Sequence, residues 1–151
     1  MLFPVLRINK GHIRKFDSPS KLRLMSKKYL DKGDFKKETF FIDADGNRFS
    51  LANILSVRRS LNPLRWFRSS PAIVVDFEIQ HEGSLSLPQI KNIVSRTVVE
   101  NKWFGQGHQT QRQFEKMVDD APSIRDLFHS ISFYGEWHGW NSLSLLVFEK
   151  H

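Results

Sequence analysis

Cysteine is absent from the 151 residues. That excludes disulfides, thiolate nucleophiles and thiolate zinc sites. Long apolar runs are also missing, and none approaches the roughly 20 residues that a bilayer-spanning helix needs. The opening MLFPVLRINKGHIRK puts apolar residues before basic ones, the reverse of a secretory signal. The expectation is a cytoplasmic protein with no membrane insertion. Neither GxxxxGK[ST] nor GxGxxG occurs, and Gly105-Gln106-Gly107 is too short to cradle a phosphate. The G-x-S-x-G nucleophile elbow is missing too. His12, His81, His108, His129, His138 and His151 form no i, i+4 pair, so no two of them share a helix face as metal ligands do. His129 and His138 converge only if the chain turns at Gly135. Asp119-Asp120 reads as a solvated helix end rather than a paired-carboxylate site. No metal, no cofactor and no catalytic role are expected.

Aromatic residues, by contrast, are plentiful. Thirteen phenylalanines and four tryptophans supply bulk for one core, and the length suits a single domain over residues 1–151. Charge is unevenly placed. Residues 1–70 hold 16 Lys and Arg against 6 Asp and Glu, a balance of +10, while residues 71–151 hold 7 against 10, a balance of −3. The basic half points to an anionic partner, whether nucleic acid, an acidic protein or a membrane surface, or else serves solubility alone.

Residues 2–8 read as a short strand, with Pro4 at an edge or in its first turn. Ser18 and Pro19 predict the cap and first position of a helix that carries Leu22, Met25, Tyr29 and Leu30 and ends at Gly33. Residues 37–58 predict a β-hairpin about Asp45-Gly46. The DADGN at that turn has Ile54, not glutamate, at the twelfth position of a calcium loop. Ile73, Val75, Phe77 and Ile79 alternate on one face of a strand. Ser86 opens a helix with Ile90, Ile93, Val94, Thr97 and Val98 on one stripe. Thr110 with Gln113, and Ser123 with Asp126, predict two further caps. Residues 142–148 suit a last strand. The fold class is therefore α+β, with an antiparallel sheet of about four or five strands packed with about three or four helices.

The densest basic-aromatic feature is residues 62–71, NPLRWFRSSP, and what precedes it. Arg58, Arg59, Arg65 and Arg68 surround Trp66 and Phe67. Rings that stack on bases and guanidiniums that meet phosphates suit single-stranded nucleic acid. Trp and Arg also dominate protein hot spots. A third role is anchoring a loop to its own core. No RNP-like string or KH loop is present, and the acidic half would repel a long polyanion, which favours a protein partner.

A second region carries a resemblance. Asn101-Lys102-Trp103-Phe104, then Phe114, Met117 and Pro122-Ser123-Ile124-Arg125-Asp126-Leu127, lead into Ile131-Ser132-Phe133-Tyr134-Gly135-Glu136-Trp137-His138-Gly139-Trp140. Over roughly residues 86–140 this resembles small bacterial immunity proteins of polymorphic-toxin and contact-dependent growth-inhibition systems. The resemblance implies a protein with no chemistry of its own, which binds one cognate toxin domain and occludes its active site. Arg58, Arg59, Arg65, Trp66 and Arg68 are the expected contacts. If the acidic half binds instead, Glu136, Trp137 and His138 take their place. The alternative is a small basic nucleic-acid-binding protein that uses the same arginine loop.

Overall fold

All five residues of Val5–Asn9 (β1) are buried, because the strand has a neighbour on each side and packed layers on both faces. The computed structural model describes residues 1–9, 12–33, 35–59, 72–102 and 110–131. Within them β1 pairs with His12–Phe16 (β2) on one side and Phe40–Ile42 (β4) on the other. The sheet continues through Asn47–Arg59 (β5) and Ala72–Ser84 (β6) to Leu24–Ser26 (β3). Its order is β2-β1-β4-β5-β6-β3, and every neighbouring pair is antiparallel. Pro4 sits just before β1, where its missing N–H disturbs no ladder.

Period-two alternation sends Leu6 and Ile8 to one face and Val5 and Arg7 to the other. On the first face lie Leu87–Glu100 (α3), Gln111–Asp120 (α4) and Ile124–Ser130 (α5). They bury Ile90, Val94, Val98, Phe114, Leu127 and Phe128 against the sheet. The capping box Thr110–Gln113 forms as the sequence predicts, and at the start of α3 the Ser86 N–H donates to Gln89 Oε1. On the second face Leu22, Met25 and Phe35 close over Phe16, Phe41, Ile73 and Val75. The fold is α+β, with six strands and five helices among the described residues.

The count differs from expectation in two places. β2 has no strand signature in the sequence, because His12, Arg14 and Lys15 mask its buried Ile13 and Phe16; charged positions are what a sheet edge tolerates. The helix expected from Ser18 to Gly33 is divided. Ser18 caps Pro19–Arg23 (α1), the chain then extends through β3, and Ser26 caps Lys27–Asp31 (α2). Leu24, Met25 and Ser26 pair with Val74, Ile73 and Ala72. Completing the edge of β6 therefore outweighs three more helical residues. Gly33, at φ +72°, follows α2.

The β4–β5 turn is built by Asp43. Its buried carboxylate accepts from the backbone N–H groups of Leu2, Asp45 and Asn47 at 2.9–3.1 Å. Gly46 follows at φ +84°, the positive φ that the Asp-Gly pair predicts. No described helix is long and apolar enough to cross a membrane.

Candidate functional site

β5 and β6 are 13 residues each, whereas β4 pairs only with Arg48–Ser50 of β5. From Leu51 onward β5 thus projects past β4 as part of a ribbon in which it is paired on one side only, with β6, whose far end at Ala72–Val74 also carries β3. Register shifts at 51/53 and 54/56 mark two bulges, which bend the strand and re-aim its side chains. The inner part of the ribbon stays in the core, where Phe77 stacks on Phe41 at 5.5 Å. The outer part buries Ile73 and Val75 of β6 but leaves Leu55 58% and Val57 49% exposed on β5. Among the described residues, they and Met1 and Leu2 at the chain start are the large apolar side chains left exposed.

Arg58 and Arg59 end the strand beside them. Arg58 pairs across the ladder with Val74 and Arg59 with Ile73, so their side chains leave on opposite faces. The Arg58 Nη2 group donates to Asp76 Oδ2 at 2.7 Å, and Ser56 Oγ donates to the same oxygen at 2.9 Å. Arg23, the last residue of α1, lies 3.3 Å from Asp76 Oδ1. The Ser56 hydrogen bond and, after it, Arg58 hold the Asp76 carboxyl below the usual carboxylate range, against the opposing effect of desolvation. Arg23, Arg58 and Arg59 against Asp76 leave the ribbon end with two excess positive charges. Arg59 is exposed to solvent.

Of the residues expected to bind a partner, Arg58 and Arg59 are therefore on one exposed ribbon end. Arg65, Trp66 and Arg68 lie outside the described residues, as do Glu136, Trp137 and His138 and the strand expected at 142–148. The sequence alone does not single out Leu55, Val57, Arg23 or Asp76. Apolar residues in a strand read as core, and nothing local announces a bulge. Alternation with Val75 and Phe77 puts Asp76 on the other face of β6, but its partners are 18 and 20 positions away in Arg58 and Ser56.

Two other features carry unusual chemistry. Arg7 is 6% exposed, and its guanidinium carbon lies 4.8, 5.1 and 5.7 Å from the ring centres of Phe16, Tyr29 and Phe35. Burial lowers its pKa to about 10; Tyr29 opposes that shift and Arg14, its cross-strand neighbour, adds to it. Its Nη1 atom has no hydrogen-bond partner. Being enclosed, Arg7 presents nothing to a partner and belongs to the core. Separately, a cleft of about 580 Å³ opens between the sheet and α3, with Phe40, Arg48, Glu82, Ile93 and Arg96 among its walls. Comparison with protein-family models, with curated proteins and with solved structures finds no match to this chain.

Proposed function

We propose that this chain is an immunity-type inhibitor, which binds a cognate toxin domain and occludes its active site, and that the ribbon end is a principal contact. The observation that carries the reading is the exposure of Leu55 and Val57 beside Arg58 and Arg59. An exposed apolar pair bordered by a guanidinium, with Arg59 on the same face as Val57, has the make-up of part of a hot spot, with a dry centre and a polar rim. Two thirteen-residue strands give the patch a rigid mount, so little ordering entropy opposes binding. The likeness of residues 86–140 to immunity proteins supplies the class of partner. The excess charge favours an acidic surface on the toxin and speeds encounter with it.

The nucleic-acid reading is the weaker one. Its support is the +10 balance of residues 1–70. Against it, the described ribbon end displays aliphatic side chains, and bases stack on rings rather than on leucine. A carboxylate, Asp76, also lies at the centre of the arginines and opposes a phosphate there.

The test is capture of the tagged chain from nuclease-treated lysate of its native host. A single stoichiometric protein, lost when Leu55→Asp is used as bait, supports the inhibitor reading. Recovery of nucleic acid in untreated lysate, and of no protein after nuclease, overturns it in favour of the alternative.

A further inference from the structure

The cleft beside α3 has a floor of Ile8, Phe40 and Ile93 and charged walls. On the sheet side Arg48 Nε donates to Glu82 at 2.8 Å. On the helix side Arg96 Nε donates to Glu100 at 2.9 Å. Each arginine is thus paired through Nε, and among the described residues the terminal nitrogens of both have no further partner. Two such nitrogens on one planar group match the two oxygens of a carboxylate. Arg48 is also fixed in place, because its guanidinium lies 4.4 Å from the centre of the Phe40 ring. A group already held at two points loses little freedom on binding.

The charges narrow the occupant. Glu82 and Glu100 are matched by their arginines, whereas Glu38, also in the wall, has no ion pair among the described residues. A bare anion at Arg48 meets the charge of Glu38. A bare cation at Glu38 leaves the terminal nitrogens of Arg48 and Arg96 without an acceptor. A molecule with both an ammonium and a carboxylate on an apolar body satisfies all three parts. The volume, about 580 Å³, falls within the range of small-molecule sites and leaves room for more than one residue.

We infer that this cleft binds a zwitterion with an apolar side chain, supplied either as a free amino acid or as a short peptide. Arg48 takes the carboxylate, Arg96 closes over it, and Glu38 takes the ammonium. Phe40, Ile8 and Ile93 receive the apolar part. The site is on the helical side of the sheet and does not depend on what the ribbon end binds.

The test is titration of the full chain, followed by amide chemical shifts, with four probes: phenylalanine, the dipeptide Leu-Phe, phenylacetate and phenethylamine. A zwitterion is expected to bind at least about tenfold more tightly than either singly charged analogue. Arg48→Gln should erase the advantage over phenethylamine, and Glu38→Gln the advantage over phenylacetate. Equal affinity for phenylalanine and the dipeptide identifies a free amino acid as the ligand; about tenfold preference for the dipeptide identifies a peptide. Arg96→Gln provides a second variant that leaves the Phe40 stack intact, and it should weaken both zwitterions. Three results overturn the inference: no shifts with any probe, no preference for zwitterions, or variants that bind as the parent does.

Discussion

The Arg7 guanidinium lies 4.8 Å from the centre of the Phe16 ring, on the same sheet face and one strand away. Tyr29 and Phe35 complete a cage around it. Lowering the pKa of Arg7 to about 10 corresponds to a cost of about 3 kcal/mol for keeping it charged at neutral pH. Three ring contacts at about 0.5–2 kcal/mol each offset that cost without a carboxylate. The charge is then close to neutral in its net effect, while the side chain's volume is essential. Arg7→Met should leave stability within about 1 kcal/mol of the parent. Arg7→Ala should lose about 2–4 kcal/mol through the cavity it leaves. Urea unfolding separates the two, and equal losses would show that the cation itself is required.

Gly46 and Gly33 both have positive φ, yet only one is confined. A Cβ on Gly46 would lie 2.8 Å from Leu85 O and 2.8 Å from Ile124 Cδ1, whereas one on Gly33 meets nothing within 4 Å. Leu85 cannot retreat easily, since its own N–H donates to Gly46 O at 2.9 Å. Gly33→Ala should therefore cost about 1–2 kcal/mol from backbone conformation alone. Gly46→Ala should cost about 2–4 kcal/mol, because the contact adds to the strain. Similar losses for the two would mean that the β4–β5 turn has slack against α5.

These local features were readable in advance to different degrees. The alternation of Ile73, Val75 and Phe77 and the caps at Ser86, Thr110 and Ser123 are short-range patterns, and each appears where the sequence puts it. The division of α1 from α2 was not readable, because the apolar spacing of Leu22 and Met25 serves either a helix or a β3 that pairs with a strand 48 residues later. The candidate site shows the same split. Arg58 and Arg59 were visible as charge. The exposure of Leu55 and Val57 follows from where β4 stops relative to β5, which is a property of the sheet and not of the segment.

Asp76 ties stability to pH in a predictable direction. Its folded pKa is depressed, chiefly by Ser56 and then by Arg58. The unfolded chain therefore takes up the proton first as pH falls. The contribution is present above the ordinary aspartate value of about 4 and disappears as pH drops through the lower folded value. Asp76→Asn should flatten the melting temperature against pH below about 4 and should lower it at neutral pH. Calorimetric scans of the two proteins across that range check both effects. Parallel curves would show that Arg58 and Arg23 gain nothing from the carboxylate in solution.

The ribbon end gives the sharpest test, provided the substitutions respect Asp76. Arg58→Glu would place a second carboxylate beside it and confuse folding with binding, so Arg58→Gln is the cleaner change. Leu55→Asp and Arg59→Glu alter side chains that face water, and each should shift stability by no more than about 0.5 kcal/mol. If Leu55 fills a pocket on the captured partner, Leu55→Asp should weaken capture by about tenfold or more, through faster dissociation. Arg59→Glu should act mainly on association, and its effect should shrink as salt rises. Surface plasmon resonance at two ionic strengths distinguishes these. A loss in Arg59→Glu that persists at high salt would place that guanidinium in the dry centre of the contact. Unchanged binding by both variants would remove the ribbon end from the interface.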